Sequence, residues 1–373
     1  MSTLSRQVRA AVAAKLSPLP LSGKDLDLYV EREVDREYSR LLEEELSGGR
    51  AFLSVFVEAA RGFGKTTSAN YWSRRILPRL GYRPIRIRTS FLVDALYESA
   101  VKAIEHATDE LSYRVSTDMG AVDLITEVSR LHDRLQRGEQ PAESVAVLLK
   151  LDEMLGGIGA RIMVLVDDFS AWAPDAKIFL QELDHLLQEP RAIFFTIFGT
   201  PRDLSRVALL ARHVYEKMTV VRMPHFTQEE AKEAVRRRVE AAGGRFEDFF
   251  AEEDFALIYA MSTGPRELLA LAREYVRLGG NIRAVMGIRE REVLRETYEL
   301  LDDTDRAILR FMREREAVRL ADLRRVASIP DPTLYYRLRK LREMGFITRL
   351  GRGIYSLTRS TEELLDALEG RAD

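Results

Sequence analysis

Short uninterrupted apolar runs alternate along the chain with longer stretches that repeat at helical period. "AFLSVFV" (51–57), Ile162 to Val166 and "AIFFTIF" (192–198) have strand length and no polar alternation, the pattern of strands buried on both faces of a sheet. "TVVRM" (219–223) is a further strand, broken by Pro224; Thr227 and Glu230 then form a capping box for a helix running to about Ala242. "MSTGPRELLALAREYV" starts another helix, with Arg266 near its first turn. Between 116 and 144, Leu124, Val128, Leu131 and Leu135 share one helical face ahead of Gly138 and Pro141, which predicts a helical insertion on the core or, on a sharper reading, a partner-binding helix.

The last part of the chain changes character. Helices are expected over Thr304 to Glu316, Leu320 to Ala327 and Pro332 to Met344, followed by a hairpin in "FITRLGRGIYSLT". Asp331 and Pro332 suit the N-cap and first position of the third helix, and Gly345 ends it. Leu334, Leu338 and Leu341 form its inward stripe; Thr333, Tyr336, Arg337 and Lys340 form the outward one, with Arg349 before the hairpin turn at Gly351 to Gly353 and Arg352 within it. From Arg306 to Arg359 there are fourteen Lys or Arg against five Asp or Glu, in a chain whose net charge is only −2. Such a local excess suits a polyanion partner, or else a solvated charged surface.

With 373 residues, 46% of them hydrophobic, the chain has room for more than one core. Strands interleaved with helices predict an α/β class. The expected division is a tail at 1–22, a P-loop-type sheet domain at 23–223 with a helical insertion at about 108–145, a helical lid and bridge at 224–300, a winged-helix domain at 301–360 and a tail at 361–373. There is no cysteine, which excludes disulfides and thiolate sites, and the five histidines show no ligand spacing. No run approaches a membrane span, so a soluble cytoplasmic protein is expected.

The chemistry sits after the first strand. Ala59-Ala60-Arg61-Gly62-Phe63-Gly64-Lys65-Thr66-Thr67 leads into a helix, the strand, glycine turn and helix context of a phosphate-binding loop. Backbone amides from Ala60 to Thr67 can wrap phosphate oxygens, aided by the helix dipole. Lys65 would reach the β and γ phosphates, and the Thr66 hydroxyl would ligate magnesium. Ala59 stands where the pattern has its first glycine, which predicts a working but slightly distorted loop. At the end of the second strand, Asp167 is the expected magnesium-side carboxylate and Asp168 the group that orients or deprotonates the attacking water, one methylene short of the more usual glutamate, so hydrolysis of a nucleoside triphosphate should be slow. Thr200, after the strand at 192–198, is the expected polar contact to water or γ phosphate, with Thr196 second.

In this order the parts resemble the AAA+ ATPases, and within them the archaeal origin-recognition and cell-division-cycle initiators. "YVEREVDREYSRLLEEEL" (29–46) is similar to the arginine-glutamate box ahead of their P-loop. The resemblance implies a P-loop domain with a small lid and winged helix, ATP and Mg2+ as cofactors, Thr200 at sensor 1, Arg266 in "TGPREL" at sensor 2, and an arginine-finger box in "ARHVYEKM" with Arg212 or Lys217 as its cation. Lys217 stands where arginine is usual, and lysine offers no planar fork to phosphate. "VLVDDFSAW" and "TGPRELLAL" are also similar to the STAND signalling ATPases. The C-terminal outline resembles the compact winged helices of transcription regulators. The third helix would enter the major groove of double-stranded DNA and the hairpin arginines would meet phosphate or minor groove; a winged helix used for protein contact or autoinhibition is the alternative. A homo-oligomer or protein partner is a further expectation. Three readings result: an initiator-like ATPase, a STAND-like ATP switch, and a DNA-binding protein with ATP as a structural ligand.

Overall fold

The computed structural model describes residues 6–48, 54–87, 161–167, 169, 176–188 and 191–368, with isolated positions 130, 149, 152, 153, 155, 156 and 159. Asp168 and the helical face expected at 124–135 lie outside the described residues. Two compact units divide between Arg273 and Glu274.

The first unit is built on a sheet of five parallel strands: β1 (Ser54–Glu58), β2 (Arg83–Ile87), β3 (Ile162–Val166), β4 (Ile193–Gly199) and β5 (Met218–Arg222), in the order β2-β3-β4-β1-β5. Every residue of β3 and β4 is buried, as their unbroken apolar runs require. Side chains alternate between two faces. Phe56, Val164, Val166, Phe195 and Ile197 meet Phe179 and Leu183 of helix Ala176–Leu186 on one side. Val55, Val57, Met163, Leu165, Phe194 and Phe198 meet Tyr38, Leu42 and Trp72 on the other. The Tyr38 and Trp72 rings stack at 3.9 Å, joining helix Glu33–Leu46 to the helix after β1. The result is a three-layer α/β domain with helices on both faces.

Helices Gln228–Ala241, Phe246–Phe249, Glu252–Met261 and Pro265–Arg277 follow the sheet. Thr227 and Glu230 form the expected capping box, Thr227 Oγ1 accepting from the Glu230 amide at 3.1 Å. The segment expected as an N-terminal tail contains helix Arg6–Lys15, with Val12 buried, and this helix packs against Gln228–Ala241.

The second unit is a helix-turn-helix with a three-stranded wing. Its helices are Ile282–Glu299, Asp303–Arg313, Leu320–Ala327, Asp331–Glu343 and Arg359–Leu368; its strands are β6 (Val318–Arg319), β7 (Ile347–Gly351) and β8 (Ile354–Leu357), ordered β6-β8-β7. The sequence reading extended the first helix-turn-helix helix to Glu316, but it stops at Arg313 because Val318 and Arg319 must be extended to pair with Tyr355 and Ile354. Pro330, not Asp331, is the N-cap of the third helix, and Asp331 is its first residue. Gly345 at φ +81° closes that helix: its N–H donates to Arg342 and that of Phe346 donates to Leu341, a pairing that needs the left-handed turn. Leu334, Leu338 and Leu341 are buried as expected. The same core takes in Leu294 and Tyr298 from the expected bridge, and Leu364 and Leu365 from the expected C-terminal tail.

Candidate functional site

A cavity of about 460 Å3 opens at the C-terminal ends of the strands in the first unit. β4 lies between β1 and β3, so the ends of three neighbouring strands supply its floor. Arg61, Gly62, Phe63, Gly64, Lys65, Thr66, Thr67, Asp167, Thr200 and Arg266 line it; Ala60 does not.

The loop after β1 is undistorted by its alanine. Ala59 has ordinary negative φ, is buried, and extends the sheet by donating its N–H to Gly199 at 3.0 Å. The expected distortion therefore does not occur: no left-handed turn is needed at 59. It is needed at Gly62 (φ +84°) and Gly64 (φ +93°), where the chain doubles back before helix Lys65–Tyr71. The Lys65 ammonium folds over the loop, donating to the carbonyls of Ala59 (2.8 Å) and Ala60 (2.9 Å). Thr66 Oγ1 donates to Asp167 Oδ1 at 3.3 Å, bringing the two expected magnesium ligands together across β1 and β3. These groups fit a nucleotide phosphate chain with a divalent metal: a glycine turn, an ammonium, a hydroxyl and a carboxylate converge on one wall.

Other expected residues are differently employed. Thr200 caps helix Pro201–Leu210, its hydroxyl donating to Asp203 at 2.6 Å, so it reaches the cavity already engaged. Thr196 is fully buried between Tyr38 (2.8 Å) and the sulfur of Met163 (3.2 Å) and does not line the cavity. Arg212 is 82% exposed and pairs with Glu216, one helical turn on; Lys217 donates to the Leu187 carbonyl at 2.9 Å. Neither lines the cavity. Arg266 does, and its backbone N–H donates to the Gly62 carbonyl at 3.0 Å. The neighbouring Gly264 lies flat against Phe63: an added Cβ would stand 3.1 Å from that ring. Helix Pro265–Arg277 thus starts directly on the phosphate loop.

Several site residues went unassigned in the sequence. Arg32, 3% exposed, donates to the carbonyls of Phe63 (3.2 Å) and Pro224 (2.5 Å), tying the loop to the segment after β5. Its box-mate Asp35 accepts from the Arg32 amide at 2.7 Å, Tyr29 Oη at 2.8 Å and Trp72 Nε1 at 2.5 Å; burial pushes the Asp35 carboxyl up despite these donors. Arg238 lines the far wall, and burial brings its pKa down to about 10. Pro18 to Leu21 and Tyr29 complete the apolar part, with Thr67 Oγ1 accepting from the Leu21 amide at 3.3 Å. Arg32 and Asp35 belong to a recognisable box; nothing in "RRRVEA" marks Arg238 as inward.

In the second unit, Thr333, Tyr336, Arg349 and Arg352 are exposed. Arg337 and Lys340, expected to face outward, turn back onto the start of helix Asp303–Arg313: Arg337 Nη1 meets the N-cap Asp302 at 2.6 Å and Asp305 at 2.8 Å, and Lys340 Nζ meets the fully buried Asp305 at 3.3 Å. Arg339 of the same helix is exposed, 3.8 Å from Glu343 and with its guanidinium 5.6 Å from the Tyr336 ring centre. The Arg337 hydrogen bond holds Asp302 below its ordinary value of 3.8. A carboxyl depressed in the folded state stabilises fully above 3.8 and loses that contribution as pH falls through the lowered value. Thermal melts of the chain should therefore show acid destabilisation of the second unit below about pH 4, flattened in Asp302→Ala; identical pH profiles would remove the pair from that role.

Residues 300–349 match the family model described as a helix-turn-helix domain. No curated protein matches the chain. Among solved structures it is similar to the ORC2 protein of Aeropyrum pernix in its ADP form, at 15% identity over 97% of each chain with a TM-score of 0.47. It is also similar to the ORC1 protein of Aeropyrum pernix in complex with DNA, at 14% identity over 97% of this chain and 96% of that one, with a TM-score of 0.43. For Cdc6p from Pyrobaculum aerophilum the figures are 16% identity, 96% and 97% coverage, and a TM-score of 0.46.

Proposed function

We propose that the chain is an initiator-like AAA+-type protein that binds ATP with Mg2+, hydrolyses it slowly, and uses its nucleotide state to control binding of duplex DNA by the winged helix. One observation carries this reading: the glycine turn and Lys65 stand over the same cavity as the Thr66 hydroxyl, which lies 3.3 Å from Asp167 at the end of a separate strand. A phosphate chain needs donors and a metal needs oxygen ligands, and the two sets meet at this wall.

Amides of Gly62 to Thr67 would bind phosphate oxygens, and Lys65 would exchange the Ala59 and Ala60 carbonyls for the outer phosphates. Thr66 and Asp167 would hold the divalent metal, which when bound supplies positive charge to the phosphate oxygens. Asp168 and Thr200 would position water, and Arg266 would place a guanidinium over the phosphates from the helix its own amide anchors to Gly62. Because that helix begins on the phosphate loop, phosphate contacts there are the proposed route by which nucleotide state reaches the rest of the chain.

For DNA, the helix-turn-helix match and the exposed Thr333, Tyr336, Arg339, Arg349 and Arg352 support a groove and phosphate contact, whereas Arg337 and Lys340 need first to leave Asp305. Arg339→Ala combined with Arg352→Ala is expected to weaken duplex binding uniformly across sequences and lower its salt dependence by about two phosphate contacts. Duplex affinity measured with ATP and with ADP tests the whole proposal: equal affinity in the two nucleotides, with nucleotide bound, would leave the control step without support.

A STAND-like switch without a trans-acting cation is favoured by one observation. Lys217 is bound to the Leu187 carbonyl within its own chain. Hydrolysis independent of protein concentration would select that reading. Among the described residues no helix is long and apolar enough to cross a membrane.

A further inference from the structure

Arg86, near the end of β2, faces the strand-end carboxylate across the sheet edge. It lies in register with Leu165 of β3, two residues before Asp167. One guanidinium nitrogen donates to Asn70 Oδ1 at 2.6 Å, on the helix that follows the phosphate loop, and the other pairs with Asp167 Oδ2. With Thr66 on Oδ1, both oxygens of Asp167 are engaged, and the carboxylate is only 9% exposed. Arg86 itself is 26% exposed, and its Nε is buried without a hydrogen-bond partner. The ion pair is therefore largely shielded from water, where opposite charges interact far more strongly than on a surface.

A divalent metal at Asp167 and the Arg86 guanidinium offer the same thing, positive charge on one carboxylate. We propose that Arg86 is a built-in counter-cation of the nucleotide site, neutralising Asp167 when no divalent metal is present and so weakening the dependence of nucleotide binding on metal. The inference rests on the nucleotide reading above. Two effects act in one direction. Without metal, Arg86 prevents Asp167 from presenting a bare negative charge to the phosphates; with metal, the ion must displace the guanidinium from Oδ2 before it gains that ligand. Asn70 fixes the guanidinium plane, so the cation is aimed at the carboxylate.

The test compares the dissociation constant of a fluorescent ATP analogue in excess chelator with that in saturating magnesium, for the full-length protein and for Arg86→Met. The ratio of the two constants is expected to be at least about tenfold larger in Arg86→Met, through loss of affinity in chelator with no loss, or a gain, in saturating magnesium. Retained binding in magnesium also shows that the variant is folded; if Arg86→Met fails that control, Arg86→Gln, which can keep the Asn70 hydrogen bond without the charge, carries the same expectation. An unchanged ratio in a folded, nucleotide-binding variant would overturn the counter-cation while leaving the nucleotide site standing. Absence of nucleotide binding by the unmodified protein in either condition would overturn both.

Discussion

Lys65→Ala is expected to lower ATP affinity about 100-fold, the worth of roughly 2–3 kcal/mol of charge-assisted hydrogen bonding to phosphate. Its ammonium spans the mouth of the loop, donating to the carbonyls of Ala59 and Ala60. The Ala60 carbonyl is exposed and can take water in place of the lysine, whereas Ala59 is buried, so loss of the side chain should cost about 1 kcal/mol of folding stability. Calorimetric titration of ATP with magnesium into the variant, alongside a thermal melt, separates the two quantities. Wild-type affinity in Lys65→Ala would remove the phosphate loop from nucleotide binding and with it the proposed function.

Arg32→Ala is expected to destabilise the first unit by about 3 kcal/mol and to weaken nucleotide binding together with it, from the loss of two charge-assisted bonds at roughly 1.5–3 kcal/mol each. Its guanidinium joins the Phe63 and Pro224 carbonyls at a site almost closed to water, so alanine strands both acceptors. The ring of Phe226, 5.0 Å away, loses its cation as well. Arg32→Lys should be nearly as damaging, because one ammonium cannot present the same fork to two carbonyls on separate segments. Urea unfolding of the three proteins, followed by nucleotide titration at a denaturant-free temperature well below each melt, measures both effects. A lysine variant indistinguishable from the parent would show that charge alone, without the planar geometry, holds the loop.

The parts of this fold that were legible in sequence are those whose local pattern already satisfies its own backbone. Ile162–Val166 reads as a strand because an unbroken apolar run of that length has no other economical burial, and the structure gives those same bounds. Thr227 and Glu230 announce their helix through reciprocal capping. Helix Arg359–Leu368 gave no comparable signal: ten residues with a few leucines cannot nucleate alone, and it forms by docking Leu364 and Leu365 into a core assembled elsewhere. Arg337 and Lys340 were misplaced for a related reason. Helical periodicity locates them on the flank of the buried stripe, but only the Asp302 and Asp305 carboxylates, from another helix, decide that they fold inward. Arg86 was invisible because its role depends on the pairing of β2 with β3, strands separated by a long stretch of chain.

The shared core of the second unit also fixes where the gene can be cut. The family match covers 300–349, yet Leu294 and Tyr298 lie before that stretch and Leu357, Leu364 and Leu365 after it, all within one apolar cluster. A fragment trimmed to the match would expose the faces those side chains cover and lose β8, the middle strand of the wing. The compact unit that keeps this interior begins at Glu274 and takes in helix Ile282–Glu299 through helix Arg359–Leu368.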